Sequence, residues 1–157
     1  MNPTRIIHCD FQNPAHREAI KNLMHDYMLD PMGNHPVHTP ELAEKMVKGL
    51  EEHPSKLVIL AKHHDIFVGL ANCFINFATF SVKKFINIHD LVVLKQYRGL
   101  GIGKTLMEAI IAHGKSLDCS KITLEVRDDN KKAQALYKSL GFEEGQPLMH
   151  YWTKYLD

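Results

Sequence analysis

Residues 95–105 read KQYRGLGIGKT, which places Gly99, Gly101 and Gly103 at alternate positions between Arg98 and Lys104, a third of the nine glycines in a chain of 157 residues. Glycine has no Cβ, so the chain can turn sharply there and its N–H groups can reach a bulky anion. A following helix adds unpaired N–H groups and the positive end of its dipole. Phosphate binding is the chemistry on offer. Just upstream, His89 and Asp90 are side chains that can accept a proton.

Spacing separates the loops that hold phosphates. A Walker A loop needs G-x-x-x-x-G-K-[ST]; counting back from Gly103, Lys104 and Thr105 puts its first glycine at position 98, which is Arg98. A dinucleotide fingerprint needs G-x-G-x-x-G in a β-α-β unit, and here the third glycine comes one residue early. Both fail, which leaves R-x-x-G-x-G over Arg98, Gly101 and Gly103.

The elements around this loop must place it. TRIIHC reads as a first strand; Asn13 and Pro14 then open a helix with Ile20, Leu23, Met24, Tyr27 and Met28 at helical spacing. A proline-rich loop, LDPMGNHPVHTPEL, ends at Thr39 and Pro40, which start a second helix through Leu42, Met46, Val47 and Leu50. KLVILA and IFVGLANCFINF read as strands joined by a KHHD turn, and FINIHDLVVL is a third central strand. After the glycines, Ile102, Leu106, Ala109, Ile110, His113 and Leu117 trace one helical face. KITLEVR reads as a strand, Asn130 caps KKAQALYKSL, and Gly141 stops that helix. FEEG and LMHYWTKYL are expected to close the chain as a β pair. The order is β, α, α, β, β, β, α, β, α, β, β: one domain over 1–157, of α+β or α/β class with helices on the faces of a sheet.

Composition excludes other classes of function. Net charge is +1 with no run of five or more like charges, so nucleic acid is not expected as a partner. The apolar runs are strand-length, far below the ~20 residues of a membrane helix, and MNPTRIIHCDFQN does not read as a signal peptide. A cytoplasmic protein without a membrane partner is expected. Cys9, Cys73 and Cys119 are too widely spaced for a disulfide framework or zinc knuckle. His35 and His38, and the His63, His64, Asp65 turn, lack the further ligands of a metal site, so no metal is expected.

With its R-x-x-G-x-G loop and, downstream, NKKAQALYKSLGF, the chain resembles the GNAT superfamily of N-acetyltransferases. The second segment is similar to the family signature N-x-x-A-x-x-L-Y-x-x-x-G-F through Asn130, Ala133, Leu136, Tyr137, Gly141 and Phe142. The resemblance is carried by residues 85–142 and is topological before them. It implies the GNAT fold, a mixed, mostly antiparallel sheet of six to seven strands with four helices, and acetyl-CoA as cosubstrate. It also implies transfer of the acetyl group to a primary amine of a small molecule or peptide by direct attack in a ternary complex. A non-catalytic acyl-CoA sensor is the alternative, against which the retained Tyr137 argues.

By the same resemblance, Arg98, Gly99, Leu100, Gly101, Ile102, Gly103 and Lys104 cradle the pyrophosphate. Leu91, Val92 and Val93 lie where the family strand splays and pairs with the pantetheine arm. Tyr137 matches the general acid; a free tyrosine side chain titrates at about 10, which leaves the proton on at neutral pH. Asn130 caps its helix, bonds the CoA arm, or both. The amine needs a proton acceptor, and His89 and Asp90 are the candidates. On a regular strand only one of them can face the site unless a bulge intervenes. IHDLVVLKQYRGLGIG is similar to the diamine and polyamine branch, which tends to carry Glu-Asp where this chain has His89 and Asp90. Asp30, Asn34 and His35 border the acceptor pocket by family analogy. Family members are often homodimers, and MHYWTKYL could supply a pairing strand.

Overall fold

The computed structural model describes residues 3–157. They divide into two compact units, one ending at Glu125 and the other Val126–Asp157. In the first, β1 (Thr4–His8) leads to α1 (Pro14–Leu29), α2 (Pro40–Glu52), β2 (Lys56–His63), β3 (Ile66–Ala78) and β4 (Lys83–Val93). A 3-10 turn at Lys95–Tyr97 precedes α3 (Ile102–Ser116) and β5 (Ile122–Leu124). The second unit holds α4 (Lys131–Ser139).

Local chemistry starts the helices where the sequence indicates. Asn13 and Thr39 accept N–H groups from Ala15 and Leu42, each cap followed by a proline at the first helical position, whose missing N–H would have no partner there anyway. Arg17 bridges Glu44 (2.7 Å) and Glu51 (2.8 Å), and Lys21 meets Glu44 at 2.6 Å, so cross-helix ion pairs tie α1 to α2.

The sheet runs in chain order, β1-β2-β3-β4-β5, antiparallel except for the parallel β4–β5 pair. One core cluster lies between it and the α1–α2 layer, with Ile20, Leu23 and Met24 of α1 against Leu60, Leu70 and Val92. On the other face Ile86 comes close to α3 at Gly114.

Four helices and a mixed sheet agree with the expectation, but the described residues form five strands, not six to seven. The expected closing pair, FEEG with LMHYWTKYL, is corrected: no strand forms in residues 143–157. Alternating side chains make a segment suited to a sheet, but a strand exists only through a ladder of backbone bonds. Within this segment Gly145 loosens the backbone and Pro147 lacks a donor.

Candidate functional site

The glycine loop sits at a strand-to-helix junction. Gly99 and Gly101 have φ of +81° and +79°, a left-handed backbone that side chains resist. Gly101 is the N-cap of α3 and offers no capping side chain. Its carbonyl takes the Thr105 N–H at 3.0 Å and the Thr105 hydroxyl at 3.0 Å. The N–H groups of Gly99, Leu100, Gly101, Ile102, Gly103 and Lys104 have no backbone acceptor among the described residues. A Cβ added at Gly99 or Gly101 would meet nothing within 4 Å. Open space beside a row of unpartnered donors suits a pyrophosphate, so this segment accommodates the group the resemblance implies.

Leu91, Val92 and Val93 precede the loop. The β4–β5 ladder pairs Ile86, Ile88 and the residue between them with Ile122–Leu124 and stops there, so the last five residues of β4 have no β5 partner. Val92 is buried in the core, while Leu91 and Val93 are half-buried.

Asp90 opposes Asn72 and Ile88 opposes Cys73, which leaves His89 as an extra residue, a β-bulge. The bulge reverses the alternation. Ile86 and Ile88 share the α3 face with Ile75 and Cys73, whereas Asp90 and Val92 share the α1–α2 face with Asn72 and Leu70. The exposed His89 ring lies 5.9 Å from that of Phe74, which packs at 4.7 Å on His53, the C-cap of α2. Both candidate bases therefore stand on the face that α1 and α2 cover.

Asn72 is 2% exposed, and its Nδ2 donates to Asp90 Oδ2 at 3.1 Å and lies 3.5 Å from Met24 Sδ. Its Oδ1 is buried without a partner among the described residues. This residue was missed from sequence, although a lone asparagine inside VGLANCF was a legible signal. Beside it, burial, with the Asp90 charge adding, pushes the Cys73 thiol up to about 12. Met24 also lines a cavity of about 530 Å³ between α1 and α2, with Lys21, His25, Met28, His38 and Met46.

Arg98 does not hang free at the loop. Its Nε donates to the Val93 carbonyl at 3.0 Å and its Nη2 to Asp30 Oδ2 at 2.8 Å. Lys104 lies 3.8 Å from Glu108 on the exposed face of α3. Asn34 and His35 are exposed. In the second unit, Asn130 caps α4 through Ala133 N–H at 3.2 Å, and Tyr137 is half-buried with its ring 6.1 Å from Phe142. Among the described residues no group of three His, Cys, Asp or Glu side chains is arranged to hold a metal, and no helix is long and apolar enough to cross a membrane.

The mixed sheet, with the glycine loop opening α3, agrees with what comparison with known proteins finds. The model of the acetyltransferase (GNAT) family matches residues 19–142, and the chain belongs to that family. It is 28% identical over 109 residues to the uncharacterized N-acetyltransferase YhfO of Bacillus subtilis, covering 69% of this chain and 73% of that one. It is 35% identical over 102 residues to the N-alpha-acetyltransferase MAK3 of Arabidopsis thaliana, covering 65% of this chain and 53% of that one. The solved aminoglycoside N-acetyltransferase AAC(6')-Iy in complex with CoA superposes with a TM-score of 0.76 at 18% identity, covering 96% of this chain and 95% of that one. The enzyme class expected from sequence, an N-acetyltransferase, stands on that membership.

Proposed function

We propose that this protein, a single domain over 1–157, transfers the acetyl group of acetyl-CoA to a primary amine of a small molecule or peptide while both substrates are bound. The observation that carries the proposal is the row of N–H groups from Gly99 to Lys104 without a backbone acceptor among the described residues, at the N-terminus of α3 and one 3-10 turn after the end of β4. Acetyl-CoA supplies the acetyl group as a thioester.

Those N–H groups and the positive end of α3 hold the pyrophosphate, with Arg98 and Lys104 adding positive charge. The backbone of Leu91, Val92 and Val93 pairs with the pantetheine arm, and one of its N–H groups polarises the carbonyl. Asn130, whose Oδ1 serves the helix cap, has its amide nitrogen for the CoA arm. The amine's lone pair forms the new C–N bond as the C–S bond breaks. The proton lost from nitrogen passes to His89 or Asp90, and the proton gained by sulfur comes from Tyr137.

The acceptor enters from the α1–α2 side, where the cavity floor at Met24 touches Asn72 and, through it, Asp90. A cytoplasmic location and a homodimer belong to the same proposal. Acetyl-CoA is an intracellular metabolite, and the exposed Met149, Tyr151, Trp152 and Tyr155 offer apolar surface to a second copy.

The test measures thiol release from acetyl-CoA against a panel of polyamines, amino acids, aminoglycosides and peptides, with Tyr137→Phe as control and the three cysteines as blank. Release that needs one amine class and collapses in the control supports the proposal. Acetyl-CoA binding without transfer across the panel favours a sensor, and absence of binding removes the cradle altogether.

A further inference from the structure

Resting on that function, we propose that Arg98 is a positioning residue that staples the acceptor-side segment to the donor loop through Asp30, so that one ion pair joins the two substrate sites. The two side chains stand 68 positions apart in sequence and meet at 2.8 Å. The Asp30 carboxylate is 12% exposed and the Arg98 side chain 46%, so the pair is shielded from water on its carboxylate side.

Asp30 organises everything at its end of α1. It is the C-cap, its N–H donating to the Asp26 and Tyr27 carbonyls at 3.1 Å each. Its Oδ1 accepts the Met32 N–H at 2.9 Å, and its carbonyl accepts those of Gly33 (3.0 Å) and Asn34 (2.8 Å). The turn leading toward α2 is thus built on one residue. The other oxygen, Oδ2, holds Arg98.

Arg98 in turn is held at the end of β4, where its Nε donates to the Val93 carbonyl. Gly99, the first left-handed residue of the loop, follows at once. A shift of the Arg98 backbone when the loop closes on a ligand must move the guanidinium, and with it the Asp30 turn. A planar fork that grips a carbonyl and a carboxylate together suits arginine and not lysine.

The test compares Asp30→Asn, Arg98→Gln, Arg98→Lys and the double variant Asp30→Asn/Arg98→Gln. Readouts are CoA affinity by calorimetry, acceptor KM and kcat, and hydrogen exchange at the amides of Met32, Gly33 and Asn34. A staple raises acceptor KM about fivefold in Asp30→Asn and in Arg98→Gln, with kcat nearly unchanged in Asp30→Asn. The double variant is no worse than either single one, Arg98→Lys fails to restore KM, and exchange at the three amides accelerates in all of them. CoA affinity in Asp30→Asn stays within about twofold of the parent. The proposal is overturned if Asp30→Asn changes neither KM nor exchange, or if Arg98→Gln weakens CoA tenfold without disturbing those amides. Exchange also judges the staple if no amine is turned over, so its failure and that of the proposed function remain distinct.

Discussion

Asn72 and Asp90 face each other across the β3–β4 ladder, amide nitrogen to carboxylate at 3.1 Å, one residue from the bulge at His89. The bulge gives Asp90 this partner. With regular alternation from Ile88, Asp90 would sit on the α3 face with Ile86, away from Asn72.

Asn72→Asp sets two carboxylates against each other, the new one at a position only 2% exposed and beside Met24. Like charges at that distance cannot both ionise cheaply, so one binds a proton more tightly in the fold than in the unfolded chain. A folded value raised in this way costs stability as pH rises. The variant should lose on the order of 2 kcal/mol at neutral pH and recover part of it near pH 5, read as Tm against the parent. An equal Tm deficit at both values would sink the idea.

His89 and Asp90 share a face but not an environment, since His89 is exposed and Asp90 is held by Asn72. An exposed imidazole exchanges protons with water more freely, which favours His89 as the base. His89→Ala should lower kcat about a hundredfold, whereas Asp90→Asn should lower it no more than about threefold. The reverse pattern assigns the proton to Asp90.

Helices and loop were legible because their signals are local: Asn13, Thr39 and Asn130 each cap the helix that follows, and Gly101 opens α3. What was not legible depends on distant partners. Nothing in HDLVV marks a bulge, because the extra residue exists only relative to the register of β3. The meeting of Arg98 with Asp30, 68 positions apart, leaves no mark in either local segment. LMHYWTKYL alternates like a strand, yet a strand requires a backbone partner that side-chain pattern cannot guarantee.

Burial would raise the Asp30 carboxyl, but the Met32 N–H and the Arg98 guanidinium outweigh it and hold it below its ordinary value. A folded value below the unfolded one means stability that is present above the unfolded carboxylate value of about 3.9 and lost as pH falls through the folded value. The Tm gap between the parent and Asp30→Asn should therefore narrow from about pH 6 to about pH 3. A constant gap would show that the ion pair adds nothing to the fold.

Burial, with Asp10 adding, pushes the Cys9 thiol up to about 11, and Cys73 reaches about 12. Both values lie above that of an unfolded cysteine, so their stabilisation is complete below about pH 8.5 and is lost as pH rises through the folded values. Near neutrality a thiol reagent should react quickly with one equivalent, Cys119, and slowly with the other two. Cys119→Ser should remove the fast phase; if it persists, Cys9 or Cys73 is more open than its burial indicates.

Gly101 and Gly103 separate backbone strain from ligand contact. Gly101 needs its left-handed φ, whereas Gly103 lies in the first turn of α3. Gly101→Ala should cost about 1–2 kcal/mol of stability from the backbone alone. Gly103→Ala has no such penalty and should hold or raise Tm, because alanine favours helix. If the N–H row binds a pyrophosphate, Gly103→Val nevertheless weakens CoA at least tenfold by placing side-chain bulk among the donors. Calorimetry on the three variants decides the matter: a loss of CoA affinity that tracks Tm would make these glycines a structural turn, and a loss in Gly103→Val at full stability makes them the cradle.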